Sequence, residues 1–249
     1  MKADDLGNRM KVYERSYKTI ITPKLPIIIR VDGKAFHTLT KSFSRPFDYR
    51  IENAMSNVAL ALCSEIDGAV FAYRQSDEVS VLIRNDQSYT TEAWFSNSVQ
   101  KMVSVAASIA AVTCSQTLEK TAYFDARVFS LPPSEVVNYF IWRQQDASRN
   151  SIQMLARSLY SHKECHKKNT AQLNELCYTK GSNWNDLPTH RKRGSSVYRE
   201  SFEATVPEGP KKGEVCERSK FVEDRETPVF TQDRGYVERW LIQTSCSRE

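Results

Sequence analysis

Two acidic turns contain the residues of this sequence that could do chemistry. The first, Asp32-Gly33, follows the apolar run of residues 26–31. The second, Ser76-Asp77-Glu78, lies between two more apolar runs, residues 69–73 and 79–83. Carboxylates at a strand end and at a hairpin tip can converge on hard cations, which bind oxygen ligands and hold nucleotide phosphates. The pair of turns therefore indicates a two-metal site, although each turn alone is also typical of a solvated loop.

Hydrophobic periodicity predicts the elements that position these turns. In chain order they are a helix over residues 3–18, a strand over 27–31, a helix over 49–65, a hairpin around Asp77, a helix over about 91–111 and a strand over 122–129. After the first helix this is the order β-α-β-β-α-β, a ferredoxin-like antiparallel sheet with its helices on one face. The first and third strands are adjacent in that arrangement, so Asp32 and Asp77 could share metals.

The chain after Pro132-Pro133 is predicted to be a helical extension that ends in short strands. Its predicted elements are a helix from Ser134 through Trp142, a helix over 148–166, a short helix over 169–181, a loop over 206–213 and strands with turns at 227–228 and 234–235. We therefore predict an α+β chain with a catalytic core over residues 1–132. A helical, basic region over residues 133–249 would pack with that core as one unit.

Composition indicates a globular protein with one basic segment. Of the 249 residues, 40% are hydrophobic and 26% are charged. No apolar run approaches the roughly 18 residues that span a bilayer, and the first residues have no signal-peptide pattern, so we expect a cytoplasmic protein without a membrane partner. The net charge of +5 resides in residues 157–193, which have eight basic and three acidic residues. That segment is either a solvated helix face or a surface for a polyanion.

Two further features of the second half each allow a functional and a structural interpretation. His162 and His166 lie at helical spacing beside Cys165 and could bind zinc, although the six cysteines include no C-x-x-C pair, and a basic, partly exposed helix face is the alternative. Trp184 could stack a base or pin its loop to the core.

Seven strings of residues match the motifs of a known family. Those in the catalytic half and just after it are V-D-G-K-A-F-H-T-L-T-K from Val31, Y-R-Q-S-D-E-V-S from Tyr73, F-D-A-R from Phe124 and W-R-Q-Q-D from Trp142. Those further on are L-Y-S-H-K from Leu159, K-G-S-N-W-N-D-L-P from Lys180 and K-R-G from Lys192. Together they resemble the tRNA-His guanylyltransferase superfamily, and the later strings are similar to its bacterial and phage-type branch. The resemblance covers roughly residues 5–200.

The resemblance implies a 3′-to-5′ nucleotidyltransferase whose core is similar to the palm of ordinary polymerases. Such an enzyme adds nucleotides to the 5′ end of tRNA, often opposite a template, and can repair a 5′-truncated tRNA. ATP or GTP activates the 5′ end, and the 3′-hydroxyl of an incoming nucleoside triphosphate then attacks it. The implied cofactors are two Mg²⁺ ions with ATP or GTP. The implied partners are tRNA and further copies of the chain in a homotetramer, a dimer of dimers.

The resemblance also implies roles for individual residues. Asp32, Asp77 and the carbonyl group of Gly33 would bind the metals, and Glu78 would support the metal site or bind through water. The positions that match nucleotide-binding residues of the family are Arg30, Asp32, Gly33, Lys34, Ala35, Phe36, His37, Arg45, Ser76, Asp77 and Lys101. The candidates for RNA contacts are Arg143, Arg149, Asn150, Lys163, Lys167, Arg191, Lys192 and Arg193.

One departure from the family pattern bears on the substrate. Many members that add a single guanosine to tRNA-His have His-Ile-Asn-Asn where this chain has Ser148–Ser151. Ser148 therefore favours templated 5′-end repair, with tRNA-His guanylylation as the alternative. A catalytically silent module that binds RNA or nucleotide is a third hypothesis, and the intact pair of Asp32 and Asp77 argues against it. A nucleotide cyclase with a similar palm is disfavoured because that family's motifs are absent.

Overall fold

The computed structural model of the protein describes residues 3–205 and 215–242. Its strands are β1 (Ile27–Gly33), β2 (Ala69–Gln75), β3 (Glu78–Ile83), β4 (Phe124–Ser130), β5 (Ser195–Thr205) and β6 (Val215–Asp224). Its helices are α1 (Ala3–Ser16), α2 (Phe36–Leu39), α3 (Tyr49–Glu65), α4 (Val99–Leu118), α5 (Pro133–Leu159), α6 (His162–Cys165), α7 (Thr170–Thr179), α8 (Thr189–Arg193) and α9 (Gly235–Glu238). Short 3-10 turns occupy Thr40–Ser42, Trp94–Asn97 and Trp184–Asp186.

The six strands form one antiparallel sheet in the order β4-β1-β3-β2-β5-β6. The first four strands have the ferredoxin-like order, and β1 lies next to β3, which confirms the predicted fold class. Register places Asp32 opposite Glu78 on one neighbouring strand and opposite Asp125 on the other. Directly paired residues point to the same face of a sheet, so these three carboxylates share the face on which Asp32 lies.

Helices cover both faces of the sheet. Ile27, Ile29 and Val31 of β1 pack in one cluster with residues of α3 and α4, as predicted for the helices within the βαββαβ unit. Ile28 of β1 lies in the opposite cluster, with residues of α5 and the tail segment that contains Phe230. Because β1 is buried on both sides, its isoleucines form a continuous apolar run, as is typical of central strands.

Helix α5 differs most from the prediction. The expected break between Trp142 and residue 148 is absent, and one helix of 27 residues runs from Pro133 to Leu159. Ser134 lies inside it, because Pro133 occupies the first turn, where a missing N–H is tolerated. The polar stretch that suggested a break points toward the acidic turns. Two predicted helix starts are correct: Asp48 accepts a hydrogen bond from the Arg50 N–H to cap α3, and Asn169 caps α7.

The start of α4 and the end of the chain also differ from the prediction. The helix expected from about residue 91 begins at Val99, after a turn in which Phe95, Ser96 and Asn97 have positive φ. Residues 195–205 were not predicted as a strand, yet β5 pairs with β2 and with the long β6. No strand follows in residues 225–242. The loop expected over 206–213 lies outside the described residues, and the domain division at residue 132 stays a prediction.

Two further findings concern the chain as a whole. Among the helices that the structure describes, none is long and apolar enough to cross a membrane. The five cysteines in the described ranges, Cys63, Cys114, Cys165, Cys177 and Cys216, are free thiols.

Candidate functional site

The two acidic turns meet at one end of the sheet. The Gly33 N–H donates a 3.1 Å hydrogen bond to the carbonyl oxygen of Asp77, which joins the end of β1 to the β2–β3 turn. Asp32 and Asp77 line one cleft of about 550 Å³ beside α5. The predicted convergence of the two turns is therefore confirmed, while the metal-binding roles of Asp32, Asp77 and the Gly33 carbonyl stay predictions.

Burial and neighbouring carboxylates make both Asp32 and Asp77 harder to ionise. The pKa of Asp77 is raised to about 6, chiefly by burial and also by the nearby charge of Asp32, although hydrogen bonds from its own backbone and from Ser76 lower it. Burial also raises the pKa of Asp32, with the charge of Asp125 as the next cause. A hard cation beside both groups would relieve this repulsion, so the carboxylate pair fits such an ion.

The protein supplies few ligands at this site. In the part of the chain that the structure describes, neither Asp32 nor Asp77 forms a salt bridge, although the charges of Arg30, Arg127 and Arg143 lower the pKa of Asp32. Residues 3–205 and 215–242 contain no group of three or more His, Cys, Asp or Glu side chains that could hold a metal. A cation at this pair would therefore take most of its oxygen ligands from phosphate and water, which is how Mg²⁺ is usually bound at nucleotide sites.

Glu78 lies in an ion network beside the pair. Arg143 donates from Nε and Nη2 to the two Glu78 oxygens at 2.8 Å each, and Arg30 Nε lies 4.0 Å from Glu78 Oε2. Arg143 also donates to Asp146 at 2.8 Å, and its side chain is only 7% exposed. The guanidinium of Arg143 is thus paired with two carboxylates at the wall of the first cleft, and its predicted RNA contact stays a prediction. The supporting role of Glu78 at the metal site stays a prediction.

The loop after β1 lines a second cleft of about 560 Å³ that shares Ser76 and Asp77 with the first. The predicted nucleotide-binding positions that line it are Gly33, Ala35, Phe36, His37, Arg45, Ser76 and Asp77. Ala35 has a positive φ of 55°, after which α2 begins. A Cβ atom on Gly33 would lie 2.2 Å from the Phe36 ring, so only glycine lets the loop close against that ring.

The two remaining lysines of the nucleotide-binding prediction differ in position. The Lys34 N–H donates to the Tyr123 carbonyl at 2.8 Å, beside the second cleft. Lys101 lies in the first turn of α4, whose start is fixed by a 3.0 Å bond from the Val99 N–H to the Thr19 carbonyl. Helix rise places Lys101 about 25 Å from the site end of α4. Lys101 therefore lies far from the two acidic turns of its own chain, and its nucleotide-binding role stays a prediction.

Sequence reasoning missed a polar face of α5 that lines the first cleft. Its new members are Asp146, Gln153 and Arg157, and Arg157 lines the second cleft as well. Asn150, which was predicted as an RNA contact, lies on the same face and donates to Asp146 at 3.3 Å. Asp146, Asn150, Gln153 and Arg157 are four, three and four residues apart, which places them on one face of a helix. The sequence did not predict this face because a helix break was expected before residue 148. Asp125, directly opposite Asp32, was also missed.

The other predicted RNA contacts do not form one surface. Arg191 donates to Glu52 at 2.7 and 3.2 Å, Lys192 to the Asn185 carbonyl at 2.7 Å and Arg193 to the Thr227 carbonyl at 3.0 Å. These three side chains hold α8 against its neighbours, and their RNA-binding role stays a prediction. Arg149, which pairs with Asp146, is 61% exposed, and Lys163 and Lys167 are exposed on and after α6. For those three the RNA-binding role stays a prediction.

The structure shows the surroundings of Trp184 and of the two histidines in the second half. Trp184 donates from Nε1 to Ser151 Oγ at 2.9 Å and packs against the cluster of Leu155 and Leu173, so it pins its loop to the core. The rings of His162 and His166 lie 5.9 Å apart, but no third ligand joins them in the described ranges.

Comparison with known proteins relates the whole chain to one set of proteins. A family model described as Thg1, tRNAHis guanylyltransferase, matches residues 7–132. The tRNA(His) guanylyltransferase of Schizosaccharomyces pombe is 30% identical over 237 residues, which cover 86% of this chain and 87% of that protein. A solved bacterial tRNA(His) guanylyltransferase (Thg1)-like protein in complex with ATP is 39% identical, with a TM-score of 0.86 over 96% of this chain and 99% of its own. Such a protein in complex with GTP is 40% identical, with a TM-score of 0.79 over 95% and 99%.

Proposed function

The chain belongs to the tRNAHis guanylyltransferase family and is therefore a nucleotidyltransferase, and from this membership and its site we propose that it repairs 5′-truncated tRNA by template-dependent 3′-to-5′ nucleotide addition. The observation that carries the proposal is the meeting of Asp32 and Asp77 at the junction of two clefts. One cleft could hold a nucleoside triphosphate while the other receives the RNA end.

Asp32 and Asp77, with the Gly33 carbonyl, would hold two Mg²⁺ ions. When bound, these ions would neutralise phosphate charge and lower the pKa of the attacking hydroxyl group. The protein's own part is to keep both carboxylates in fixed positions, which the pairing of β1 with β3 and the Gly33–Asp77 hydrogen bond provide. Positioning of this kind supplies much of the rate in phosphoryl transfer, because the protein contributes little covalent chemistry.

ATP or GTP would occupy the second cleft, against the loop of Gly33 to His37 and Arg45. Arg157 lines both clefts and would lie between a triphosphate in one and an RNA 5′ end in the other. The positive charge of Arg157 would reduce the repulsion between the triphosphate and the RNA 5′ end. Arg30, held near Glu78, adds a second positive charge to the first cleft.

Two observations support templated repair over guanylylation of tRNA-His alone. Ser148 stands where many single-guanosine enzymes have histidine. The chain is also more similar to the bacterial Thg1-like proteins, at 39% and 40% identity, than to the tRNA(His) guanylyltransferase of Schizosaccharomyces pombe, at 30%. We extend the proposal to a cytoplasmic homotetramer, which light scattering of the purified protein would test.

Nucleotide addition to a 5′-truncated, 5′-triphosphorylated tRNA tests the proposal directly. Asp32→Ala and Asp77→Ala should each lower the rate by more than about 100-fold, because each removes a carboxylate from the metal site. Asp67→Ala is the control, since Asp67 is an exposed acid in the turn between α3 and β2. Undiminished addition by either site variant would exclude the metal assignment. Strict preference for tRNA-His over other truncated tRNAs would favour guanylylation proper.

A further inference from the structure

A third cavity lies beside the two clefts, and no step of the proposed reaction uses it. Its volume is about 180 Å³. The polar residues that line it are Gln153 and Arg157 of α5, His162 of α6, and His166, Lys167 and Lys168 of the connection to α7. We call it the basic cavity.

The charges around the basic cavity are of one sign. None of its lining residues is acidic. Glu164, the carboxylate of α6, is bound by Ser161 through its N–H at 2.9 Å and its Oγ at 2.6 Å. The salt bridges within residues 3–205 and 215–242 include none of Arg157, Lys167 and Lys168. Like charges gathered without a counter-ion repel one another, and a bound anion would reverse that repulsion.

The backbone conformation at Lys167 helps to place basic side chains around the basic cavity. Lys167 has a left-handed φ of 61°, which is uncommon for a residue with a side chain. The turn at Lys167 allows His166, Lys167 and Lys168, three consecutive residues, to line the same cavity.

The basic cavity adjoins the catalytic clefts, because it shares lining residues with them. Arg157 lines all three cavities, and Gln153 lines both the basic cavity and the cleft of Asp32. A polyanion whose end lies at Asp32 and Asp77 would therefore meet Arg157 next and then the basic cavity. We propose that the basic cavity binds a backbone phosphate of the RNA strand, close to the 5′ end that reacts at Asp32 and Asp77. This inference rests on the proposed function.

An RNA phosphate fits the position better than a free phosphate or pyrophosphate. His162, His166, Lys167 and Lys168 are exposed, so the basic cavity faces the surface over which a strand would approach. Lysine contacts to backbone phosphates supply affinity and fix the strand's register without reading its sequence. The basic cavity would therefore hold truncated tRNAs of different sequence in one position relative to the acidic pair.

The test compares binding of an RNA with binding of a nucleotide. The RNA probe is an in vitro transcribed tRNA that lacks its first nucleotide and has a labelled 3′ end, and the nucleotide probe is ATP with Mg²⁺. The full-length protein with Lys167→Ala and Lys168→Ala should bind this tRNA about 5- to 10-fold more weakly, and the slope of log Kd against log salt should fall by about 1. ATP binding and the melting temperature should match those of the wild type.

Lys18→Ala is the control for loss of charge. Lys18 is exposed and adjoins Thr19, whose carbonyl accepts from the Val99 N–H at the end of the sheet away from Asp32. Unchanged tRNA affinity in the double variant, or an equal loss in Lys18→Ala, would overturn the proposal. So would pyrophosphate binding that the double variant loses while its tRNA affinity is intact, since the basic cavity would then be a product site. Failure of the wild type to extend any tRNA, with the binding difference preserved, would instead reject the proposed function and leave the RNA site standing.

Discussion

The N–H of Gly33 donates a 3.1 Å hydrogen bond to the carbonyl oxygen of Asp77, and this bond closes the gap between two turns that strand pairing has already aligned. The pairing of β1 with β3 runs in register from Ile27–Ile83 to Asp32–Glu78. The separation of the two carboxylates is therefore set by the sheet, whose geometry is more precise than that of a free loop.

Gly33→Ala should disturb the loop without removing any polar group. The new Cβ would meet the Phe36 ring at 2.2 Å, and that ring packs edge-on against Phe124 with centroids 5.2 Å apart. We expect a loss of about 1–3 kcal/mol in the free energy of unfolding and weaker ATP binding, measured by urea denaturation and calorimetric titration. Gly7→Ala is the control, because nothing lies within 4 Å of a Cβ there. Wild-type stability and affinity in Gly33→Ala would contradict the packing argument.

Asp77→Asn should stabilise the metal-free protein in a way that depends on pH. Burial raises the pKa of Asp77 from 3.8 to about 6, so the folded state binds more protons than the unfolded state between these values. The contribution of Asp77 to stability is present below the lower pKa and is lost as pH rises through the upper one. The Asn variant should therefore melt several degrees above the wild type at about pH 7.5, with little difference at about pH 4.

Magnesium provides the complementary measurement for Asp77. Added Mg²⁺ should raise the melting temperature of the wild type more above about pH 6 than below it, because the ion competes with the proton for the carboxylate. The Asn variant should respond much less at every pH. A pH-independent difference between the two melting temperatures would show that ionisation of Asp77 is not its cause.

Glu78→Gln should destabilise the protein through the arginines that it leaves behind. Arg143 makes two 2.8 Å bonds to Glu78, and the two side chains are only 7% and 10% exposed. Removing one partner of a buried ion pair costs roughly 3 kcal/mol or more. The matched control is Arg127→Ala, which breaks the exposed Asp125–Arg127 pair at 3.5 Å and should cost less than about 1 kcal/mol. Urea denaturation compares the two variants.

A double variant at Glu78 and Arg143 distinguishes the structural role of Glu78 from a role in catalysis. Glu78→Leu with Arg143→Met replaces the pair by apolar side chains and should recover most of the stability lost in Glu78→Gln. Nucleotide addition should not recover if Glu78 supports the metal site. Full activity in the stable double variant would limit Glu78 to holding Arg143.

Local signals made the first half of the fold predictable. Helix α3 begins and ends where its periodicity places it, and in the structure Asp48 caps it by accepting a hydrogen bond from the Arg50 N–H. The acidic turns follow buried apolar strands, so their convergence at one sheet end could be inferred from strand order. The Gly33–Asp77 hydrogen bond could not be predicted from the sequence, because it joins two backbone groups and does not depend on either side chain.

Long-range contacts explain what the sequence did not predict. The polar stretch around Arg143 is typical of a helix break. It is helical because Arg143 is bound by Glu78, which lies 65 residues earlier in the chain. Lys101 is close to the hairpin in sequence but lies at the other end of α4. Most residues of β5 are exposed, so its sequence has no apolar pattern that predicts a strand. Pairing with β2 and β6 determines its position.

The pairing of β2 with β5 has a consequence for the order of folding. Phe71 lies opposite Tyr198, and Arg74 is bound by Glu223 of β6 at 3.2 Å, so β2 obtains one of its two neighbours more than 100 residues after it is synthesised. Until then the strand that leads to Asp77 is an unpaired edge, open to other strands. Closing so long a loop is slow. We therefore expect the catalytic end of the sheet to reach its final form only after the ribosome has released the residues that follow α8.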